Sequence, residues 1–174
     1  KIIEEAMSEL GVETGITSGR AEETYVEDCT IETDQPAMIP DSYIDVTAEK
    51  IRIYQQLDAL RNDKDIDRIK FQLKDRFGEL PEEVDNLFDV VKIRNLGGKL
   101  GFEKIIIKNG MMIMFFISNQ MSPYYKTKTF SNMLQRINEH ADSLNLKQSE
   151  GKLKIVTRGI DSLDKALMTL SKLQ

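Results

Sequence analysis

The sequence is short of the groups that usually carry chemistry. It has one cysteine, Cys29, so no disulfide can form within the chain, and a lone thiol fits a reducing compartment. Cys29 itself reads as a half-buried strand residue. It has one histidine, His140, which falls near an expected helix end and reads as a surface group rather than a base or ligand. No Cys/His spacing suggests zinc. No apolar run approaches the ~20 residues that span a membrane, and the longest, Met111 to Ile117, has strand length. No leader peptide is recognisable, so a cytoplasmic location is expected. No phosphate-binding loop is present either: Gly97-Gly98-Lys99 lacks the upstream glycine and the strand that such a loop needs.

The acidic groups do not replace the missing chemistry. Asp63, Asp65 and Asp67, and then Glu82, Glu83 and Asp85, stand where helix first turns favour negative charge. Met111, Met112 and Met114 read as a strand packed on both faces rather than a copper site. The chain starts at Lys1, inside what reads as a helix, which suggests a piece of a longer protein.

What is present is a strong charge asymmetry. Residues 1–101 hold 23 acidic and 13 basic residues, and residues 102–174 hold 6 acidic and 11 basic. An acidic part followed by a basic part suggests two regions with different partners.

The patterning divides at about the same place. Residues 1–24 read as the end of a preceding helix, with Ile3, Ala6, Met7 and Leu10 on one face, and a polar linker. Residues 25–33 alternate weakly, as a short strand would. Residues 45–101 read as three amphipathic helices. The first is capped by Asp45 or Thr47 and carries Ile51, Tyr54, Leu57 and Leu60. The second opens at Asp63 or Asp65 and carries Ile66, Ile69, Leu73 and Phe77. The third opens at Pro81 and carries Val84, Leu87, Phe88 and Val91. Gly78 ends the second helix where a residue free to take positive φ is wanted.

From residue 102 the period changes to two. Lys104–Lys108, a turn at Asn109-Gly110, and Met111–Ile117 read as a hairpin. A helix follows, capped by Thr129 or Ser131. Then come Asn145–Ser149, a turn at Glu150-Gly151, Lys152–Arg158, and a last helix opened by Asp161 with Asp164. The expected fold is α+β: a helical part, 45–101, followed over 102–174 by strand–strand–helix twice. That repeat gives a four-stranded antiparallel sheet with two helices on one face.

One helix breaks its own pattern. With Ile66 at zero and about 100° per residue, Phe71 lies at about 140°, Asp75 at about 180° and Gln72 at about 240°. An aromatic ring thus stands on the face that should be wet, beside a carboxylate, a composition typical of interface anchors.

Ile39-Pro40-Asp41 with Tyr43-Ile44, then Arg52-Ile53-Tyr54, Asp75-Arg76-Phe77-Gly78, Leu80-Pro81 and Leu100-Gly101-Phe102 form an ordered set. In that order and spacing they resemble the C-terminal domain of the bacterial transcription-repair coupling factors, the Mfd family. The resemblance implies that residues 25–174 are a non-catalytic regulatory domain of a large ATP-dependent DNA translocase. It places ATP and magnesium on the parent's upstream motor and no cofactor or metal on this part. It implies that the domain docks on the parent's N-terminal UvrB-like module, masks the surface used by UvrA and restrains the translocase. RNA polymerase and DNA are then partners through the parent, with no membrane involved. The helix ending in Asp75-Arg76-Phe77-Gly78 is implicated in that docking, with Phe71, Gln72, Asp75 and Arg76 as the interface. Gln72 stands where some relatives would place a glutamate.

The alternative reading is an accessory nucleic-acid-binding module on the basic part. Lys126, Lys128, Lys152, Lys154 and Arg158 would meet phosphates, helped by Lys104 and Lys108, with bases stacked on Tyr124 and Tyr125.

Overall fold

The computed structural model describes residues 24–174. In chain order the elements are β1 (Thr30–Thr33), α1 (Thr47–Ala59), α2 (Asp63–Phe77), α3 (Glu82–Leu100), β2 (Phe102–Lys108) and β3 (Met111–Phe116). A short 3-10 turn (Pro123–Lys126) leads to α4 (Lys128–Glu139), β4 (Asn145–Ser149), β5 (Lys152–Arg158) and α5 (Leu163–Ser171). The reading of residues 1–24 as a helix end and linker lies, but for Thr24, outside the described residues.

Both hairpins form as their turn residues dictate. Asn109 and Gly110 both take positive φ, 53° and 73°, and Glu150 and Gly151 repeat this at 52° and 75°. Two successive left-handed residues match the twist of the flanking strands, which is why the tight turns hold β2 to β3 and β4 to β5.

The sheet differs from the expected one. It has five strands in the order β1-β2-β3-β5-β4 and is mixed, because β1 lies parallel to β2 with Ile31 opposite Ile105. A parallel neighbour needs a long crossover, and α1, α2 and α3 supply it. The strand beginning at Lys104 in the sequence reading begins at Phe102, across a bulge between Phe102 and Lys104. The bulge turns Phe102 to the buried face, where its ring lies 4.8 Å from that of Phe116.

The apolar residues form two cores. One joins α1, α2 and the first half of α3 through Ile53, Leu57, Ile66, Ile69, Leu73, Val84 and Phe88. The other joins the sheet to the second half of α3, α4 and α5 through Ile93, Ile105, Ile107, Met112, Met114, Met133 and Ala166. So α3 belongs to both, and three helices rather than two cover the sheet.

The stripe of α1 is out of phase with the expectation. Ile53 and Leu57 are buried, while Ile51 is exposed and Tyr54 points outward to accept the Ile39 amide at 2.8 Å. Met112 and Met114 are buried but Met111 lies on the other face, so β3 packs on one face only. Four caps fall one or two residues from those expected. Asn62 caps α2, Thr127 caps α4 and Ser162 caps α5 with their side chains, and Val46 precedes α1 with no side-chain cap. Pro81 stands just before the first residue of α3.

Gly97 and Gly98 have a structural task. Here α3 crosses the chain leading into β1, and the Gly98 carbonyl accepts the amides of Tyr25 and Val26, each at 3.0 Å. A Cβ on Gly98 would stand 2.1 Å from the Val26 carbonyl oxygen. One on Gly97 would meet Ile105 at 2.9 Å and the Cys29 sulfur at 3.0 Å.

Candidate interaction surface on the second helix

The helix α2 is held to α3 by ion pairs and by the core beneath. Lys70 pairs with Asp85 at 2.7 Å, and Lys92 of α3 pairs with Asp67 at 2.6 Å. Arg94 of α3 reaches the end of α1, donating to the Asp58 carboxylate at 2.8 Å and to the last carbonyls of that helix. Asn95 donates to the Leu60 carbonyl at 3.1 Å. At the far end Tyr43 donates to the carbonyls of Leu73 and Gly78, and Gly78 takes φ 92°. This bracing fixes the outer face of α2.

Phe71 stands on that face 71 % exposed, the most exposed aromatic side chain among the described residues. Asp75, one turn on, is exposed and makes no ion pair or hydrogen bond among the described residues. Gln72, Asp75 and Arg76 line one wall of a groove of about 480 Å³, with Arg52, Ile53 and Gln56 of α1 on the other. Phe71 sits at a separate shallow depression bounded by Leu80, Lys70 and Lys74. The four residues therefore straddle a ridge with a hollow on each side.

Arg76 is partly engaged. Its guanidinium lies 2.5 Å from the Glu49 carboxylate and 4.9 Å from the centre of the Phe77 ring. Glu49 also accepts from Arg52 at 2.9 Å, and the hydrogen bonds from Arg52 and then Arg76 hold its carboxyl below the usual carboxylate range. Asp89 of α3 moves the other way: burial pushes it up, opposed by Lys70 and aided by Asp164 and Asp85.

The structure divides the basic set. Lys152, Lys154 and Arg158 stand in one row along β5, on the sheet face away from the helices. Lys126 and Lys128 lie at the start of α4, in the helical layer on the opposite face. Of the expected stacking rings one is buried and the other partly buried. Tyr124 is 2 % exposed and donates its hydroxyl to the Leu100 carbonyl at 2.5 Å, and Tyr125 packs edge-on to it and donates to Ile117. The burial of Tyr124 and the partial burial of Tyr125 follow from the aromatic cluster with Phe116 and Phe130, which periodicity in sequence does not reveal.

Among the described residues no group of three or more His, Cys, Asp or Glu side chains could hold a metal ion, and no helix is long and apolar enough to cross a membrane. Cys29 is buried rather than half-buried, and its thiol is pushed up to about 12 by burial, against the opposing charge of Arg94.

Residues 33–127 match the TRCF domain family. The chain is similar to the transcription-repair-coupling factor of Rickettsia bellii, 35% identical over 94 residues, and to that of Rickettsia prowazekii, 39% identical over 85. That of Escherichia coli is 29% identical over 107 residues. The matches cover 53%, 48% and 58% of this chain but only 8%, 8% and 9% of those proteins. A crystal structure described as the C-terminal domain of transcription-repair coupling factor superposes with a TM-score of 0.64, over 84% of this chain and 93% of that one. At 21% identity that likeness establishes a shared fold.

Proposed function

The chain belongs to the TRCF domain family, and from that premise we propose that it is the regulatory, non-catalytic domain of a transcription-repair coupling factor. In this reading it docks through α2 on the UvrB-like N-terminal module of its own parent. Docking masks the surface used by UvrA and restrains the upstream ATP- and magnesium-dependent DNA translocase.

The observation that carries the reading is the pairing of Phe71 with Asp75 on a braced helix. A ring left in water and a carboxylate left without a partner are unfavourable in isolation and become favourable against an apolar, basic counterpart. An intramolecular partner is held at high effective concentration, so a small and releasable contact suffices. Engagement of RNA polymerase or DNA then shifts the population toward the undocked form.

The test is made in the intact parent. Deletion of residues 25–174 is expected to raise basal ATPase activity and UvrA binding together. Asp75→Arg is expected to do the same, and a compensating acidic substitution on the UvrB-like module to restore the restraint. Unchanged ATPase and UvrA binding in the deletion variant would remove the basis for the reading. The nucleic-acid alternative retains the row Lys152, Lys154 and Arg158 but loses the Tyr124 ring to the core, with Tyr125 partly buried against it.

A further inference from the structure

The helices α3, α4 and α5 all pack on one side of the sheet. On the other side Ile106, Met111, Ile113 and Phe115 are half-buried and Val156 is buried between its strand neighbours; the five belong to neither core, and no helix among the described residues lies over them. Strand register places them on a grid. Across β2, β3 and β5 the three rows run Lys104, Phe115, Lys154; then Ile106, Ile113, Val156; then Lys108, Met111, Arg158. The five apolar residues make a cross centred on Ile113, and the four corners are all cations.

The corners are unequally satisfied. Lys104 and Lys108 share Glu32 of β1, at 2.6 and 3.5 Å. Lys154 and Arg158 have no carboxylate partner among the described residues: Lys154 lies 5.7 Å from the centre of the Phe115 ring, and Arg158 donates to the Met111 sulfur at 3.5 Å. Lys147 of β4 stands directly opposite Lys154 in the register. Like charges opposed across an antiparallel pair repel, and an anionic group between them relieves that repulsion.

We infer that this open sheet face is a second docking surface, for an acidic amphipathic helix of a partner protein. The helix lies along β3, its apolar stripe fills the cross, and its flanking carboxylates take the cationic corners. The dimensions agree: columns about 4.8 Å either side of β3 fall under the flanks of a helix about 10 Å wide. An apolar centre within a polar rim is the anatomy of a protein interface. Single-stranded nucleic acid fits less well, because it stacks on flat rings. Branched Ile and Val side chains fill this centre, and the Phe115 ring is already met by Lys154. The surface lies on the strands and not on α2, so the inference stands apart from the docking proposed for α2.

The experiment uses the 174-residue chain, isotope-labelled for NMR, and three probes. One is a synthetic helix of ~15 residues with Leu and Phe on one face and Glu on both flanks. The second has Lys in place of Glu, and the third is single-stranded oligo(dT). The Glu helix is expected to bind, with shifts centred on Ile106, Ile113, Phe115 and Val156, and the Lys helix not to bind. Lys154→Glu combined with Arg158→Glu should weaken the Glu helix at least about tenfold and admit the Lys helix, as expected when paired charges at a contact are reversed. Lys147→Glu, on an exposed edge strand, gives the same direction of change should the double variant lose its spectral dispersion. Asp75→Arg should leave this binding unchanged. Oligo(dT) binding on the grid in place of the Glu helix, shifts confined to α2, or no shifts with any probe would each overturn the inference.

Discussion

Phe71 and Cys29 show how differently one chain treats two apolar side chains. Phe71 spends most of its surface in water, so Phe71→Ala removes little from the fold. Its expected effect on stability is within about 0.5 kcal/mol, measured by urea unfolding, while under the proposed docking the same change in the parent is expected to raise basal ATPase. Cys29 is the reverse case. Its neutral thiol lies against Gly97 and Ile105, and with its titration pushed up to about 12 it carries almost no thiolate at pH 8. A disulfide reagent such as dithionitrobenzoate is expected to leave it unlabelled in the native chain and to label it fully in denaturant. Rapid native labelling would show that the strand leading into β1 opens. Phe71 was legible in the sequence because a single residue contradicts the period of its own helix. The burial of Tyr124 is not, since it depends on rings brought together from β3, the 3-10 turn and α4.

Elements were read well where the signal is local. Asn109-Gly110 and Glu150-Gly151 fix two hairpins by backbone geometry alone, and the strands on either side follow. β1 was the hard case: four residues, Thr-Ile-Glu-Thr, whose pairing with β2 spans three helices and whose only inward apolar group is Ile31. The phase of α1 is not legible in the sequence for a related reason. Ile51 with Tyr54 and Ile53 with Leu57 are both acceptable helical spacings, and only the neighbouring helices decide which pair is covered. The join of α1 to α2 makes a pH prediction. The Glu49 carboxyl is depressed by Arg52 and Arg76, so its contribution is present above the unfolded carboxylate value and is lost as the pH falls through the folded one. Glu49→Gln is therefore expected to flatten the acid limb of the stability curve, monitored by circular dichroism from pH 6 downward. Asp89 carries the opposite sign. Burial raises it, so its ionisation weakens the fold as the pH rises through its folded value, and Asp89→Asn should stabilise the chain at neutral pH and not in acid.

At the scale of the whole molecule α3 ties the two cores into one cooperative unit. Its first half lies among Ile66, Ile69 and Leu73, and its second half lies under the sheet. Unfolding followed separately through the helical part and through the sheet is expected to give one coincident transition. Gly98→Ala tests the coupling. Its methyl group meets a backbone oxygen that cannot rotate away, and the expected cost is about 1–3 kcal/mol, with both parts shifting together in hydrogen exchange. A shift confined to the sheet would show two independent units. The expected order of a helical part and then a sheet part holds only for residues 47–174, since β1, the fifth strand of the sheet, precedes the helices. The sharing of one helix between them arises from packing, and the helix's own sequence carries only an unusually long apolar stripe.

The seam at Gly98 also decides where mechanical load enters. The amides of Tyr25 and Val26 grip its carbonyl just before the chain turns into β1. A pull on the chain ahead of Tyr25 therefore reaches, through Gly98, the one helix that is shared by both cores.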